Sequence, residues 1–233
     1  MPNEESAIKG IVAGYNDLIK GIDAEATNSK DRFYGGIIRA GKGKLVENIG
    51  KNLVEIAWRK LNQEESRLTM EGTHITIPIK KAYVDGLVDK ELRDHIMANL
   101  TNYNYRYKPD ILVQIYTTPV VEIECKSYTE NAMIKRILVD DTLIKTIYPK
   151  MKFALLQLES QLGGDYSKLS KKTFGSKPTN TLLSYFDIDL TIITLLKDER
   201  DINKPIHRFF KPLEEESLKR AVDIIIKILE PYA

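Results

Sequence analysis

The chain is poor in the residues that announce the commoner disulfide and metal chemistries. It holds one cysteine, one tryptophan and three histidines in 233 residues. A single cysteine excludes an internal disulfide framework and a structural zinc site built on thiolates. Cys125 lies within an apolar run, which suits a reducing compartment, so the cytoplasm is the expected location. His74, His95 and His207 have no neighbour at zinc-ligand spacing. No apolar run approaches the ~18 residues of a membrane span. The opening MPNEESAIKG lacks the basic-then-apolar pattern of a signal peptide. No membrane partner is expected. Neither sign of charge dominates: 35 basic residues against 33 acidic give a net +2, so the distribution of charge must decide whether nucleic acid is a partner. Internal repeats and low-complexity segments are also absent.

What is present is enough apolar sequence, 42% of residues, to bury one sizeable core, and a single domain over 1–233 is expected. Residues 1–22 carry a helical stripe of Ile8, Ile11, Val12, Tyr15, Leu18 and Ile19. Residues 23–44 read as a small, polar, glycine-containing loop. A stronger helical stripe follows over Leu45–Leu61. Thr73–Ile79 alternates as a strand, and Pro78, which cannot donate to a ladder, places it at a sheet edge or strand end. Val88, Leu92, Ile96 and Leu100 step by four and predict a helix. Two β-branched runs come next, Lys108–Tyr116 and Pro119–Lys126. Ser127-Tyr-Thr-Glu130 has the spacing of a capping box and predicts a helix over about 129–148, stopped by Pro149. Strands over Lys152–Leu158 and Phe186–Leu196 and a helix over about 213–229 complete the reading. The order predicts an α/β fold, with a mixed central sheet flanked by helices on both faces.

Chemistry concentrates in the two β-branched runs. Side chains at i and i+2 of a strand share a face, so Glu124 and Lys126 point together, Glu122 joins them as a possible extra ligand, and Cys125 turns to the core. Ile111, Val113 and Ile115 form one apolar face of the preceding run, putting Asp110 opposite. If the runs pair as a hairpin, Asp110 and Glu124 converge on one cation. Mg²⁺ is a small, hard ion that one or two carboxylates plus water and phosphate oxygens typically hold, and a lysine beside it offsets phosphate charge. An isolated Glu-x-Lys is usually a solvated strand face. Here Pro109-Asp110 precedes it at hairpin distance between apolar flanks, and acids on a buried strand are costly without a ligand.

Pro109-Asp110 followed by Glu124-Cys125-Lys126 resembles the pattern of the PD-(D/E)XK nuclease superfamily, and the chain is similar in size to its type II restriction endonucleases. The resemblance covers about residues 45–160 and implies a restriction-endonuclease-like αβββαβ core there. It implies Asp110 and Glu124 as metal ligands, Lys126 as the catalytic lysine, and Mg²⁺ as the cofactor. The partner it implies is double-stranded DNA, cut at a short specific sequence to leave 5′-phosphate and 3′-hydroxyl ends. A palindromic site would be matched by a homodimer. The resemblance also implies a glutamate from an upstream helix. Of the two candidates, Glu47 lies beside the helical apolar stripe and Glu55 nearly opposite it, so Glu47 is preferred.

Nucleic acid would meet locally basic segments. Residues 166–186, read as a basic loop, hold Lys168, Lys171, Lys172 and Lys177 with no acid. Arg39, Lys42 and Lys44 belong to a 30–44 segment with five basic residues against one acid. Arg106 leads into the Pro-Asp strand, and Lys135 and Arg136 open the following helix. Such residues supply phosphate contacts. Alternatives in view are a structure-specific repair or junction-resolving nuclease and a catalytically silent, nuclease-like DNA-binding module. Gly36–Gly43 nearly matches a phosphate-binding P-loop, but Gly43 replaces the metal-binding hydroxyl and no strand precedes it. No nucleotide cofactor is therefore expected, and a basic hinge accounts for the glycines. Asp140 and Asp141 read as a solvated helix face, and Asp187 and Asp189 as a solvated strand start.

Overall fold

In the computed structural model, residues 4–28, 33–70, 74–167, 173–204 and 209–233 are described, with the side chains of 22–40 outside that description. Two long helices begin the chain, α1 (Glu4–Asn28) and α2 (Phe33–Lys60). The loop expected over 23–44 is thus largely helical. Glycine costs a helix only about 1 kcal/mol per residue, too little to stop one anchored further on. The anchor is the buried stripe Val46, Ile49, Leu53, Ile56 and Ala57, with Trp58 also fully buried. The indole of Trp58 donates to the Glu64 carbonyl at 2.9 Å and fixes the turn that follows.

A five-stranded sheet has the order β1 (Leu68–Thr69), β4 (Ile111–Ile115), β5 (Thr118–Thr129), β6 (Lys152–Ser160), β7 (Leu190–Thr194). Pairs β1–β4 and β4–β5 are antiparallel, whereas β5–β6 and β6–β7 are parallel. The sheet is mixed, as expected. Strands β2 (Ile75–Pro78) and β3 (Asn104–Tyr107) form a separate antiparallel ribbon, with α3 (Lys81–Asp85) and α4 (Lys90–Ala98) between them. Ile75–Pro78, the strand within the Thr73–Ile79 run, is therefore not part of the central sheet, and the two-residue β1 takes that place; Thr73 lies outside the described residues. Ile75 and Ile77 pack instead with Tyr107, Leu112, Ile144, Met151 and Phe153 in a second core.

Helix α5 (Asn131–Ile147) covers one face of the sheet through Ile134, Ile137 and Leu138 against Leu155. On the other face α1, α2 and α7 (Glu215–Leu229) pack over Ile111, Val113, Ile123, Cys125, Ala154 and Leu156. Helix α6 (Lys177–Ser184) lies inside the segment read as a basic loop. Ser176 caps it, accepting from the Thr179 amide at 3.2 Å. Among the described residues no helix is long and apolar enough to cross a membrane.

Two helix expectations change. The four-step stripe does not dock α4: Val88 is 98% and Leu92 45% exposed, leaving Ile96 as the buried residue. The predicted capping box is not formed. The parallel ladder carries β5 on to Thr129, paired with Ser160, so Ser127 stays in the strand, and Glu130 occupies the N-cap of α5 without a side-chain cap.

Helix α2 reaches the sheet at Gly50. A Cβ built there would stand 2.6 Å from Ile111 Cδ1, 3.0 Å from Leu156 Cδ2 and 3.7 Å from the Cys125 thiol. Gly50→Val should therefore overpack the interface and cost about 1–3 kcal/mol. A lowered urea midpoint with an unchanged m-value would establish this.

Candidate active site

The β4–β5 hairpin positions the site through its register. Its tip is Tyr116-Thr117, with Tyr116 at φ 56°. Near the tip Ile115 pairs with Thr118 and Gln114 with Pro119, yet Val113 pairs with Val121. One residue, Val120, is thus extra in β5, a bulge beside a proline that cannot donate. Counted from the tip without that bulge, Ile111 would face Glu122. With it, Ile111 pairs with Ile123, so Asp110, at the mouth of β4, comes level with Glu124. A one-residue slip exchanges the faces of a strand, and the bulge sets which face the acids occupy.

Asp110 Oδ2 accepts a hydrogen bond from the Cys125 amide at 2.8 Å and lies 3.4 Å from Lys126 Nζ. The ammonium also bonds Glu124 Oε1 and the Cys125 carbonyl at 3.3 Å. Three oxygens, from Asp110, Glu124 and the backbone between Glu124 and Lys126, therefore surround one positive charge. The hairpin brings Asp110, Glu124 and Lys126 together. Side-chain exposures of 33%, 15% and 30% respectively keep them half-buried but reachable. Cys125 packs in the core at 4% exposure, its thiol pushed well up by burial. Asp110, Cys125 and Lys126 line a cleft of about 560 Å³ that is completed by Gly43, Lys44, Glu47 and Ser127, so α2 presents Glu47 to it. Glu55 is exposed.

Burial and charge divide the acids. Desolvation raises the Glu124 pKa, opposed by Lys126 and reinforced by Asp110. Burial also disfavours the Lys126 ammonium, but the Glu124 and Asp110 carboxylates outweigh it and lift its pKa. Deeper in, fully buried Glu122 is pushed well above the carboxylate range by burial, then by Asp141 and Glu124. The Tyr107 hydroxyl lies 3.0 Å from Glu122 Oε1 and 3.3 Å from Glu124 Oε2 and can donate its one proton to either.

Asp141 was expected on a solvated face and is instead 1% exposed, with both oxygens unpartnered among the described residues. Burial, then the Glu124 and Asp140 charges, raise it to about 8. The signal was in the periodicity, since Ile134, Ile137, Leu138, Asp141 and Ile144 form one buried stripe. Sequence reasoning also missed Tyr107 and the Cys125 carbonyl, the latter because a backbone atom leaves no residue-type signature.

The donor set fits a hard divalent ion. Among the described residues no three His, Cys, Asp or Glu side chains form a ready-made cage, and Mg²⁺ needs none. It keeps waters and takes one or two carboxylates. The Lys126 ammonium already marks where three oxygens converge on a cation.

The basic candidates scatter. Lys44 is exposed on the cleft wall. Arg106 on β3, Lys135 and Arg136 on α5, and Lys177 at the start of α6 are exposed, and Arg136 pairs with Asp140 at 3.7 Å. Lys42 is only 5% exposed and does not face solvent. The side chain of Arg39 and all of Lys168, Lys171 and Lys172 lie outside the described residues. Asp187 bonds Lys145 at 2.9 Å on the surface, away from the hairpin acids.

No protein-family profile matches the chain. It is 43% identical over 225 residues to the type II restriction enzyme DdeI of Desulfomicrobium norvegicum, covering 94% of each protein. Among solved structures, the native BbvCI A2B2 tetramer superposes with a TM-score of 0.40 at 11% identity, over 97% of this chain and 88% of that one, a likeness too loose to bear on fold or assembly.

The raised Asp141 pKa has a stability consequence. Between its ordinary value of 3.8 and about 8, the folded protein keeps a proton that the unfolded chain releases. Stability therefore falls as pH rises through that window. In metal-free protein, Asp141→Asn should flatten this decline and raise Tm at pH 8 by at least about 4 °C relative to wild type. Thermal melts at pH 5 and pH 8 measure it, and parallel slopes for the two proteins would contradict the assignment.

Proposed function

The chain belongs to the type II restriction enzymes, in the family of DdeI, and from that premise we propose that it hydrolyses both strands of double-stranded DNA at a short, fixed, palindromic sequence. The cofactor in this reading is Mg²⁺, and one cytoplasmic domain carries both DNA binding and catalysis. A palindrome is matched by two-fold protein symmetry, so the working form is a homodimer. The observation that carries the reading is the meeting of Asp110 and Glu124 on the Lys126 ammonium, beside a cleft that Asp110 and Lys126 line.

Asp110, Glu124 and the Cys125 carbonyl would hold the metal. When bound, Mg²⁺ supplies Lewis acidity, lowering the pKa of a water and offsetting charge on the phosphoryl group. The chain's own groups do the rest. Lys126 stays protonated beside its carboxylates, so its N–H donors can bind a phosphate oxygen and neutralise charge that grows during in-line attack. The Tyr107 hydroxyl lies within reach of one Glu124 oxygen, and Lys126 bonds the other. Glu47 lines the same cleft as Lys126 and can accept from a water bound there. Lys44, Arg106, Lys135, Arg136 and Lys177, joined by Arg39, Lys168, Lys171 and Lys172, supply backbone contacts that fix the duplex but carry no sequence information.

Incubation with phage DNA and Mg²⁺ should give a fixed ladder of bands, whereas a structure-specific nuclease would give a smear or selective loss of branched substrate. Asp110→Ala and Glu124→Ala should abolish cleavage. Lys126→Ala should retain specific binding while losing about 10³-fold or more in single-turnover rate, and wild-type turnover by that variant would falsify its role. Lys44→Ala should weaken binding to all sequences alike and reduce the slope of log K against log salt by about 1.

A further inference from the structure

The glycines of Gly36–Gly43 fit no hinge, because α2 is continuous through them. Inside a helix glycine is the least favourable residue after proline, so a glycine that lines the candidate site calls for a reason outside local conformation. Gly50 has one, since any Cβ would strike Ile111 and Leu156. Gly43 has none within the protein: among the described residues a Cβ there would meet nothing within 4 Å. Yet the two positions are related. Seven residues advance a helix by nearly two full turns, so Gly43 and Gly50 face within about 20° of one another and stand about 10 Å apart along the axis. Gly50 sits on the sheet. Gly43 therefore aims the same way into open space, on the wall of the cleft it shares with Lys44, Glu47, Asp110 and Lys126.

We propose that Gly43 is bare so that the sugar–phosphate backbone of a DNA strand can lie against α2 while its phosphate reaches Asp110 and Lys126. Gly43 is then a positioning residue for the cleavage reaction. Lys44, next in sequence and on the same wall, supplies the charge that holds the polyanion there, and the missing side chain supplies the space. The inference rests on the nuclease reading of this cleft, and it separates cleanly from a structural role. A glycine retained for folding loses stability when it is replaced. A glycine retained for a ligand gains stability and loses function.

The test compares Gly43→Ala and Gly43→Leu with Gly10→Ala and Gly10→Leu in the full chain. Gly10 lies on α1 and likewise has open space around it. All four substitutions favour the helix, and the alanine variants should raise Tm by about 2–4 °C. Gly43→Leu should lower the single-turnover cleavage rate in Mg²⁺ on the order of 10- to 100-fold. In a Lys126→Ala background, where cleavage is slowed by about 10³-fold or more, Gly43→Leu should weaken duplex binding by a similar factor. Gly43→Ala should lose about threefold, and both Gly10 variants should cut like wild type. Cleavage and binding by Gly43→Leu within about twofold of wild type would overturn the proposal while leaving the nuclease reading intact. If the leucine variant fails to fold, an unchanged rate in Gly43→Ala overturns it instead. A wild-type protein that cuts no DNA overturns the nuclease reading and this inference together.

Discussion

Bringing the Asp110 and Glu124 carboxylates to one point in a half-buried cleft is repulsive, and desolvation adds to the cost. The Lys126 ammonium, bonded to both and to the Cys125 carbonyl, is what makes the arrangement stable without a metal. Its reach is short. Glu122 and Asp141 lie deeper, beyond that one positive charge, and the medium around them favours their neutral forms. The site is thus layered, with an outer pair of acids balanced by lysine and an inner pair kept quiet by burial. Tyr107 joins the layers through a hydroxyl within reach of Glu122 and Glu124.

Such a layer can persist only if backbone positions are held to a few tenths of an ångström. The sheet supplies this from both sides. Strand β5, which carries Glu122, Glu124 and Lys126, pairs with β4 on one edge and β6 on the other along most of its length. On the α2 side the contact is as close as a helix can make, at Gly50. On the α5 side Ile134, Ile137 and Leu138 close over Leu155. Residues that ligate nothing, Ile111 and Leu156 among them, therefore decide where the acids stand.

How much of this was legible follows from the range of each signal. The β-branched runs flanking Pro109-Asp110 and Glu124-Cys125-Lys126 are local, and period-two alternation places the acids and Cys125 on opposite faces. A helical wheel suffices to prefer Glu47 over Glu55, because both positions sit on one regular element. Failures occur where a distant partner decides. Glycines made 23–44 look like loop, while the buried stripe from Val46 to Trp58 extends the helix back through much of it. The ladder to Ser160 kept Ser127 in a strand when its local spacing suggested a cap. Ile75 and Ile77 alternate as any sheet strand would, and only the pairing with Tyr107 and Tyr105 across the chain puts them in a separate ribbon. Asp141 is a different case: its charge points to a solvated face, whereas the stripe of Ile134, Ile137, Leu138 and Ile144 already places it in the core.

The extra residue at Val120 also separates the two ends of the hairpin mechanically. Between it and the tip the ladder has one registration, and between it and Asp110 another. Changes in the length or composition of the exposed Tyr116-Thr117 corner can be absorbed at that discontinuity, because the pairing on the far side is pinned by burial of Val121 and Ile123. The tip and the end that carries Asp110 and Glu124 are thereby decoupled, so the corner can change while the two carboxylates stay level with one another.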